Sequence, residues 1–390
     1  MDLKKEIKLS DLAKLPRRAK KPAARSFKGT GAQPARALPR KTARELVGLK
    51  IGATQLAASR VSNNGSPQVL QLAREELPAG IVVGGEVRNV PALANALDEF
   101  FTKHDLPRRG VRLGVATNRI GVRAFEIAGV DDDRQLANAV RFRAHEAVSI
   151  PLDQAVLDYH VLSETVDDAG KLNRRILVVA AYRDSIDRFT AAFNEAGIEL
   201  AAIDLEAFAL LRAVAAPTKT SEASEAAVVA VSIGHERSTL AISDGAVCDF
   251  MRVLEWGGST LTRAIERELG VTASEAEELK RGLSLEAGSY DDERASRARQ
   301  VVRSELQTLA RELVASLHFY QGQPGSLAIG EILLSGGTSR MTGLAEELER
   351  LTRVGVRKAD PLTRAKVADS VQAGEDLPSL TVAIGLGVED

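Results

Sequence analysis

The chain has 390 residues, 44% hydrophobic and 27% charged, with a formal net charge of −1. This length supports two or more domains with cores of their own, and the composition is that of a globular protein. It excludes a membrane span, since no run of about eighteen apolar residues occurs, and a secretory leader, since the charged N-terminus lacks an apolar stretch. The lone cysteine, Cys248, excludes an internal disulfide framework, and its apolar, strand-like surroundings mark it as core. These features expect a reducing cytoplasm. The charge is uneven. Residues 1–45 hold 14 Lys and Arg against 4 Asp and Glu, a net of +10, which leaves −11 on the remainder. A basic arm on an acidic body points to a tail with its own partner.

Leu3, Ile7, Leu12 and Leu15 lie near helical spacing among lysines. This stretch is either an amphipathic helix for anionic lipid or a partner, or a solvated charged tail. Residues 14–44 are rich in Pro, Arg, Lys and Ala and poor in large apolar groups, so 1–45 is expected to be a basic, mostly disordered tail. Order is expected from Leu46. Strands 46–51 and 55–61 flank Gly52-Ala53-Thr54, and Asn63-Asn64-Gly65 turns the chain into a strand at 69–77. A helix at 90–104 carries Leu93, Leu97, Phe100 and Phe101 on one face. Strands follow at 111–116 and 122–126. A helix at 131–147 opens on three aspartates and ends before Ile150-Pro151. Segments 157–162 and 175–181 form a strand pair around an Asp167–Gly170 turn. Helix 185–196, strand 200–203 and helix 205–214 lead to a small, polar separator at 217–225. A strand, glycine turn and strand then recur at 227–232, Gly234 and 238–243, a coarse internal repeat. Helices are expected at 259–268, 273–281 and 292–321, the last followed by Pro324. A strand at 331–334, a helix at 343–351, a short strand near 354–357 and an apolar piece at 380–386 complete the chain.

Three glycine-bearing turns follow strands. They are Gly48-Leu49-Lys50-Ile51-Gly52-Ala53-Thr54, Ser232-Ile233-Gly234-His235-Glu236-Arg237-Ser238-Thr239 and Ser335-Gly336-Gly337-Thr338-Ser339-Arg340. Glycine lets backbone amides approach an anion, although ordinary hairpins use it in the same way. As an ordered set, the turns resemble those of the actin-like ATPase superfamily, where the first two are phosphate loops and the third an adenosine loop. Ile150-Pro151 followed by Asp158-Tyr159, then Asp204-Leu205-Glu206, Glu255-Trp256-Gly257-Gly258, Ala276-Glu277-Glu278-Leu279-Lys280 and Ser316-Leu317-His318-Phe319-Tyr320, narrow the resemblance to the type IV pilus assembly family PilM, from Leu46 onward.

The resemblance implies an α/β, actin-like two-lobed ATPase fold. The first lobe would span 46–216, including an inserted FtsA-type subdomain at about 111–181, and the second would span 226–390. It implies that Lys50, Gly52, Ala53, Thr54, Gly234, Ser238 and Thr239 line the phosphate side of a cleft. Gly336, Gly337, Thr338 and Arg340 would line the adenosine side, and Gly258 would also contact the cofactor. Glu277 and Lys280 would reach ribose and base, and Glu206 would stand near a metal's water. Residue chemistry alone allows two plainer readings: an i,i+3 ion pair for Glu277 and Lys280, and a helix N-terminal acid for Glu206.

Two departures matter. Lys50 and Ser232 stand where the superfamily places aspartates. Magnesium wants oxygen ligands, and an ammonium would repel it, although it would neutralise a phosphate. The expectation is therefore a weakly held or structural ATP, no secure place for Mg²⁺, slow or absent hydrolysis, and a scaffold rather than an enzyme. Implied partners are the N-terminal peptide of a PilN-like inner-membrane protein docking near 122–150, pilus motor or platform proteins, and a membrane surface met by the basic tail. The expected place is the cytoplasmic face of the inner membrane. Nucleic acid is not expected, because Phe27 is the tail's only aromatic residue. His104, His145, His160, His235 and His318 are scattered, with no metal-ligand spacing. The alternatives are an FtsA-like division or filament protein, which the short acidic C-terminus disfavours, and an active ATPase or sugar kinase of the same superfamily.

Overall fold

A computed structural model describes residues 45–389 apart from 168–169, 216–225, 246, 287–291, 324, 370 and 372–375. The expected basic tail, the separator at 217–225, Pro324 and the centre of the Asp167–Gly170 turn lie outside the described residues.

In chain order, β1 (Glu45–Ile51), β2 (Gln55–Ser62) and β3 (Gln68–Glu76) form an antiparallel meander. A small hairpin, β4 (Val82–Val83) and β5 (Glu86–Val87), leads to α1 (Val90–Lys103) and β6 (Val111–Val115). The Asn89 side chain caps α1 by accepting from the Ala92 amide, and Leu93, Leu97, Phe100 and Phe101 are buried beneath the sheet. Then come β7 (Ile120–Ala128), α2 (Asp133–Ala147), β8 (Ala155–Val166), β9 (Leu172–Tyr182), α3 (Arg183–Glu195), β10 (Leu200–Leu205) and α4 (Glu206–Val214). The second half holds β11 (Ala226–Ile233), β12 (Ser238–Ser243), β13 (Cys248–Leu254), α5 (Gly258–Leu269), α6 (Ala273–Gly282), α7 (Glu293–Gln321) and β14 (Ala328–Ser335). A 3-10 turn at Gly337–Arg340, α8 (Leu344–Thr352), β15 (Gly355–Lys358), β16 (Lys366–Val367) and α9 (Leu377–Gly387) follow.

The two large sheets are built alike. One has the order β10-β6-β1-β2-β3-β16, the other β15-β14-β11-β12-β13. In each, the first strand pairs antiparallel with the second and parallel with a later one: β1 with β2 and β6, β11 with β12 and β14. Even the turns match. The Gly52 amide donates to the Gln55 carbonyl at 2.8 Å, and the Gly234 amide to the Arg237 carbonyl at 2.9 Å. The coarse repeat in the sequence is thus a repeat of topology.

Two expected boundaries move. Residues 111–115 belong to the first large sheet, between β10 and β1, so the inserted unit begins only at Ile120. That unit is the sheet β7-β9-β8 with α2 packed on one face through Leu136, Val140 and Ala144. The C-terminus also returns to the first lobe. β16 pairs with β3, and α9 packs on β1, β2 and β6 as well as α4. Helix α4 in turn lies on the second lobe's sheet, with Ala230, Ala241 and Leu333 in the same apolar cluster. The two central helices therefore join the lobes back to back. They meet very closely: a Cβ at Gly385 would lie 1.8 Å from the Ala209 carbonyl oxygen.

Candidate functional site

The second and third turns meet, the Gly234 carbonyl accepting from the Thr338 hydroxyl and Gly336 packing on Ile233, while the first turn lies on the other lobe at the base of α4. At the first, Lys50 is the last residue but one of β1 and its ammonium lies 3.0 Å from a carboxylate oxygen of Glu206, the first residue of α4. Both side chains are largely buried. The neighbouring acid, Asp204, is held by Arg212 at 2.8 Å, and Arg212 also donates to the Gly385 carbonyl. Gly52, Ala53 and Thr54 form the tight hairpin tip, with the Thr54 carbonyl accepting from the Leu77 amide.

On the second-lobe side, Gly234, Gly258, Glu277, Lys280 and Thr338 form one cluster. The Gly234 carbonyl accepts from the Gly258 amide at 2.9 Å and from the Thr338 hydroxyl at 3.1 Å. Helix α6 starts with a reciprocal cap between Thr272 and Glu275, which sets its inner face. From that face the buried Lys280 ammonium donates to the Gly258 carbonyl at 3.1 Å, the Thr262 hydroxyl at 2.9 Å and Glu277 at 2.6 Å. Thr262 donates to the same Glu277 oxygen, and Arg281 holds the other. Burial alone would push the Glu277 carboxyl up. The hydrogen bonds from Lys280 and Thr262 outweigh it and carry the pKa down to about 2. Burial lowers the Lys280 ammonium, against the pull of Glu277. His235 is half-buried beside this cluster and is held below its usual pKa, first by burial and then by Lys280.

Other expected ligand residues are occupied elsewhere. The fully buried Ser238 hydroxyl donates to the Trp256 carbonyl, and Thr239 is buried within β12. Arg340 pairs with Asp376, which also holds Arg74 of β3, so this arginine ties the second lobe to the base of α9. Gly336, at φ +89°, packs against Ile233: a Cβ there would lie 2.4 Å from the Ile233 carbonyl oxygen. Contact with its own chain therefore suffices to require glycine there. Thr262 was missed by sequence reasoning. Its place one helical turn after Gly258, where its hydroxyl also reaches the Gly258 carbonyl, was the available signal.

The divalent metal that accompanies nucleotide in this kind of cleft does not fit these residues. Among the described residues no three His, Cys, Asp or Glu side chains converge as a metal site. The two acids nearest the first turn each already hold a cation, and Lys50 puts a positive charge where the metal's own charge would stand. The second-lobe cluster is different. Glu277 is a quarter exposed, whereas the three donors of the buried Lys280 ammonium are engaged by Gly258, Thr262 and Glu277, so it would meet a further acceptor only by exchanging one of them.

The family model for type IV pilus assembly protein PilM matches residues 48–390. The chain belongs to that family. Among curated relatives, the cell division protein FtsA of Pseudomonas aeruginosa is 25% identical over 381 residues, 87% of this chain and 88% of that protein. FtsA of Neisseria meningitidis is 22% identical over 80% of each chain. Among solved structures, a PilM-PilN type IV pilus biogenesis complex superposes with a TM-score of 0.73 and 26% identity, covering 88% of this chain and 97% of that one. The ethanolamine utilization protein EutJ of Carboxydothermus hydrogenoformans matches with a TM-score of 0.51 at 16% identity over 88% of each chain. MreB 5 of Spiroplasma citri bound to AMPPNP also gives 0.51, at 14% identity, over 88% of this chain and 95% of that one. The fold is thus actin-like, with the FtsA-type subdomain inserted in the first lobe. No helix among the described residues is long and apolar enough to cross a membrane.

Proposed function

We propose that this PilM-family chain is a scaffold of the type IV pilus assembly platform at the cytoplasmic face of the inner membrane. It binds the short N-terminal cytoplasmic peptide of a PilN-like membrane protein and joins that protein to motor or platform components. The observation that carries this reading is the likeness, at 26% identity across nearly the whole chain, to a PilM-PilN complex. The inserted subdomain offers suitable chemistry. Among the described residues β7 pairs only with β9, leaving an edge that an extended peptide would lengthen, and Phe142 of α2 is 70% exposed. The region 122–150 is the proposed dock. Any nucleotide would be held on the adenosine side by Glu277, Lys280 and the Gly336-Gly337 turn, with a structural role and little turnover.

The test is titration of the full chain with a synthetic peptide of the membrane protein's cytoplasmic N-terminus. Micromolar binding that weakens about tenfold in Phe142→Asp is expected, in line with an apolar anchor at a contact. Absence of binding sinks the scaffold reading, whereas binding unaffected by Phe142→Asp moves the dock elsewhere. The FtsA relatives favour a second reading, a polymerising division protein. Nucleotide-dependent sedimentation of purified protein would support that one instead.

A further inference from the structure

The second hairpin turn reaches out of its own lobe. The Glu236 carboxylate accepts from the Gly84 amide at 2.7 Å, in the turn between β4 and β5 of the first lobe. The Arg237 guanidinium lies over the same turn: a Cβ on Gly84 would be 2.8 Å from its Nη2. It also approaches the Ala116 carbonyl at 3.5 Å and Glu255 at 3.7 Å. Glu255 in turn accepts from the Asn118 amide group of the first lobe at 2.6 Å. These polar contacts bridge the two lobes, apart from the apolar junction of α4 and α9.

The turn they grip continues directly into Glu86, which is buried. One Glu86 oxygen accepts from the Thr117 hydroxyl at 2.7 Å and from the Ser185 hydroxyl at 2.9 Å. Arg119 lies 3.6 Å from the other oxygen and makes two 2.9 Å bonds to Asp184, with its guanidinium over the Tyr182 ring. Thr117, Arg119, Tyr182 and Ser185 flank the two crossings into the inserted subdomain. A buried carboxylate with its partners in place is rigid, since losing one leaves a charge uncompensated.

We propose that the Glu236–Arg237 turn is a clasp that holds the lobes together and transmits their separation, through Glu86, to the root of the inserted subdomain. The clasp is built of a few part-buried polar contacts, so it opens more cheaply than the apolar junction of α4 and α9. The Glu86 network is buried, so it moves as a unit with the β4–β5 turn. Lobe opening would then tilt the subdomain, and a ligand on the subdomain would feel the state of the cleft; only this last step rests on the proposed peptide dock.

Hydrogen exchange of the unliganded full-length chain tests it. In Glu236→Ala combined with Arg237→Ala, exchange is expected to quicken about tenfold at residues 80–88 and also at 117–119 and 182–186, with α7 unchanged. Faster exchange at 80–88 alone would overturn the transmission, and no change at either place would overturn the clasp. Should the double variant lose its fold, Glu236→Gln weakens the bond to the Gly84 amide while keeping the shape, and carries the same readout. Peptide added to wild type should slow exchange at 80–88. A peptide that binds without doing so counts against the coupling, whereas one that does not bind counts only against the scaffold reading.

Discussion

The two hairpin turns are the same device put to different ends. Both close with a glycine amide on the carbonyl three residues ahead, and both begin a sheet of the same order. The first turn keeps its charge at home, where Lys50 is absorbed by Glu206 beneath the cleft. The second sends its charges outward, Glu236 and Arg237 across to the other lobe, while its Gly234 carbonyl anchors the Glu277–Lys280 cluster. Duplicated backbone geometry therefore does not carry duplicated chemistry. Side chains two or three positions from each glycine decide whether a turn holds a metal, an ion pair or a neighbour.

The largest break in this comparison should come from the second-lobe cluster. Glu277→Ala leaves the buried Lys280 ammonium with only neutral partners, and a loss of about 3 kcal/mol in urea unfolding is expected. The same carboxylate gives a pH signature. Its folded pKa of about 2 lies below the unencumbered 4.5, so its contribution is fully present above pH 4.5 and is lost as pH falls toward 2. Glu277→Gln should flatten that part of the stability profile. A profile unchanged by the substitution would mean the cluster is looser than its hydrogen bonds indicate.

The turns, the halves and the i,i+3 relation of Glu277 and Lys280 were legible in the sequence because each is local. The pairing of Lys50 with Glu206 was not, since the partners lie on different elements and meet only when α4 folds back under β1. Helix α9 was hidden for another reason. Residues 377–387 are apolar on every side, so they show no helical period, and their β-branched and glycine residues suit a buried strand equally well. Ser238 and Arg340 were assigned to a ligand from their place in motifs, whereas Trp256 and Asp376 had the prior claim.

The junction of α4 and α9 offers the next effect. Gly385→Ala drives a methyl into the Ala209 carbonyl, where backbone meets backbone and neither helix can yield alone. A cost of about 2 kcal/mol is expected, read as a lowered urea midpoint. If both sheets unfold together in that variant, α4 and α9 form the shared core that their packing suggests. If only the first lobe loosens, the lobes are more independent than the turns' cross-lobe contacts imply.

The first turn should respond less in stability and more in chemistry. Lys50→Asp removes the ammonium and sets two carboxylates near each other, the arrangement a hydrated divalent ion accepts. Mn²⁺ titration followed by electron paramagnetic resonance should show bound ion in the variant and none at this site in wild type. Equal binding in both would mean that Glu206 serves a metal despite its partner, and the contrast drawn between the turns would fail.

The smallest effect concerns Cys248, at the start of the strand that follows the second hairpin. Burial raises its thiol pKa to about 12, and the adjacent Asp249 adds to the rise. At pH 8 the reactive thiolate is then on the order of one part in ten thousand, against about a tenth for a free thiol at its ordinary pKa. Labelling by an aromatic disulfide reagent should therefore be far slower in the native chain than in urea. This sharpens the comparison because Cys248 sits at the end of β12 and β13 far from the turn that bridges the lobes, where Ser238 faces Leu254. If Glu236→Ala with Arg237→Ala speeds labelling, releasing the clasp loosens the second sheet itself. If labelling stays slow, the outward turn is a separable attachment on a sheet that holds without it.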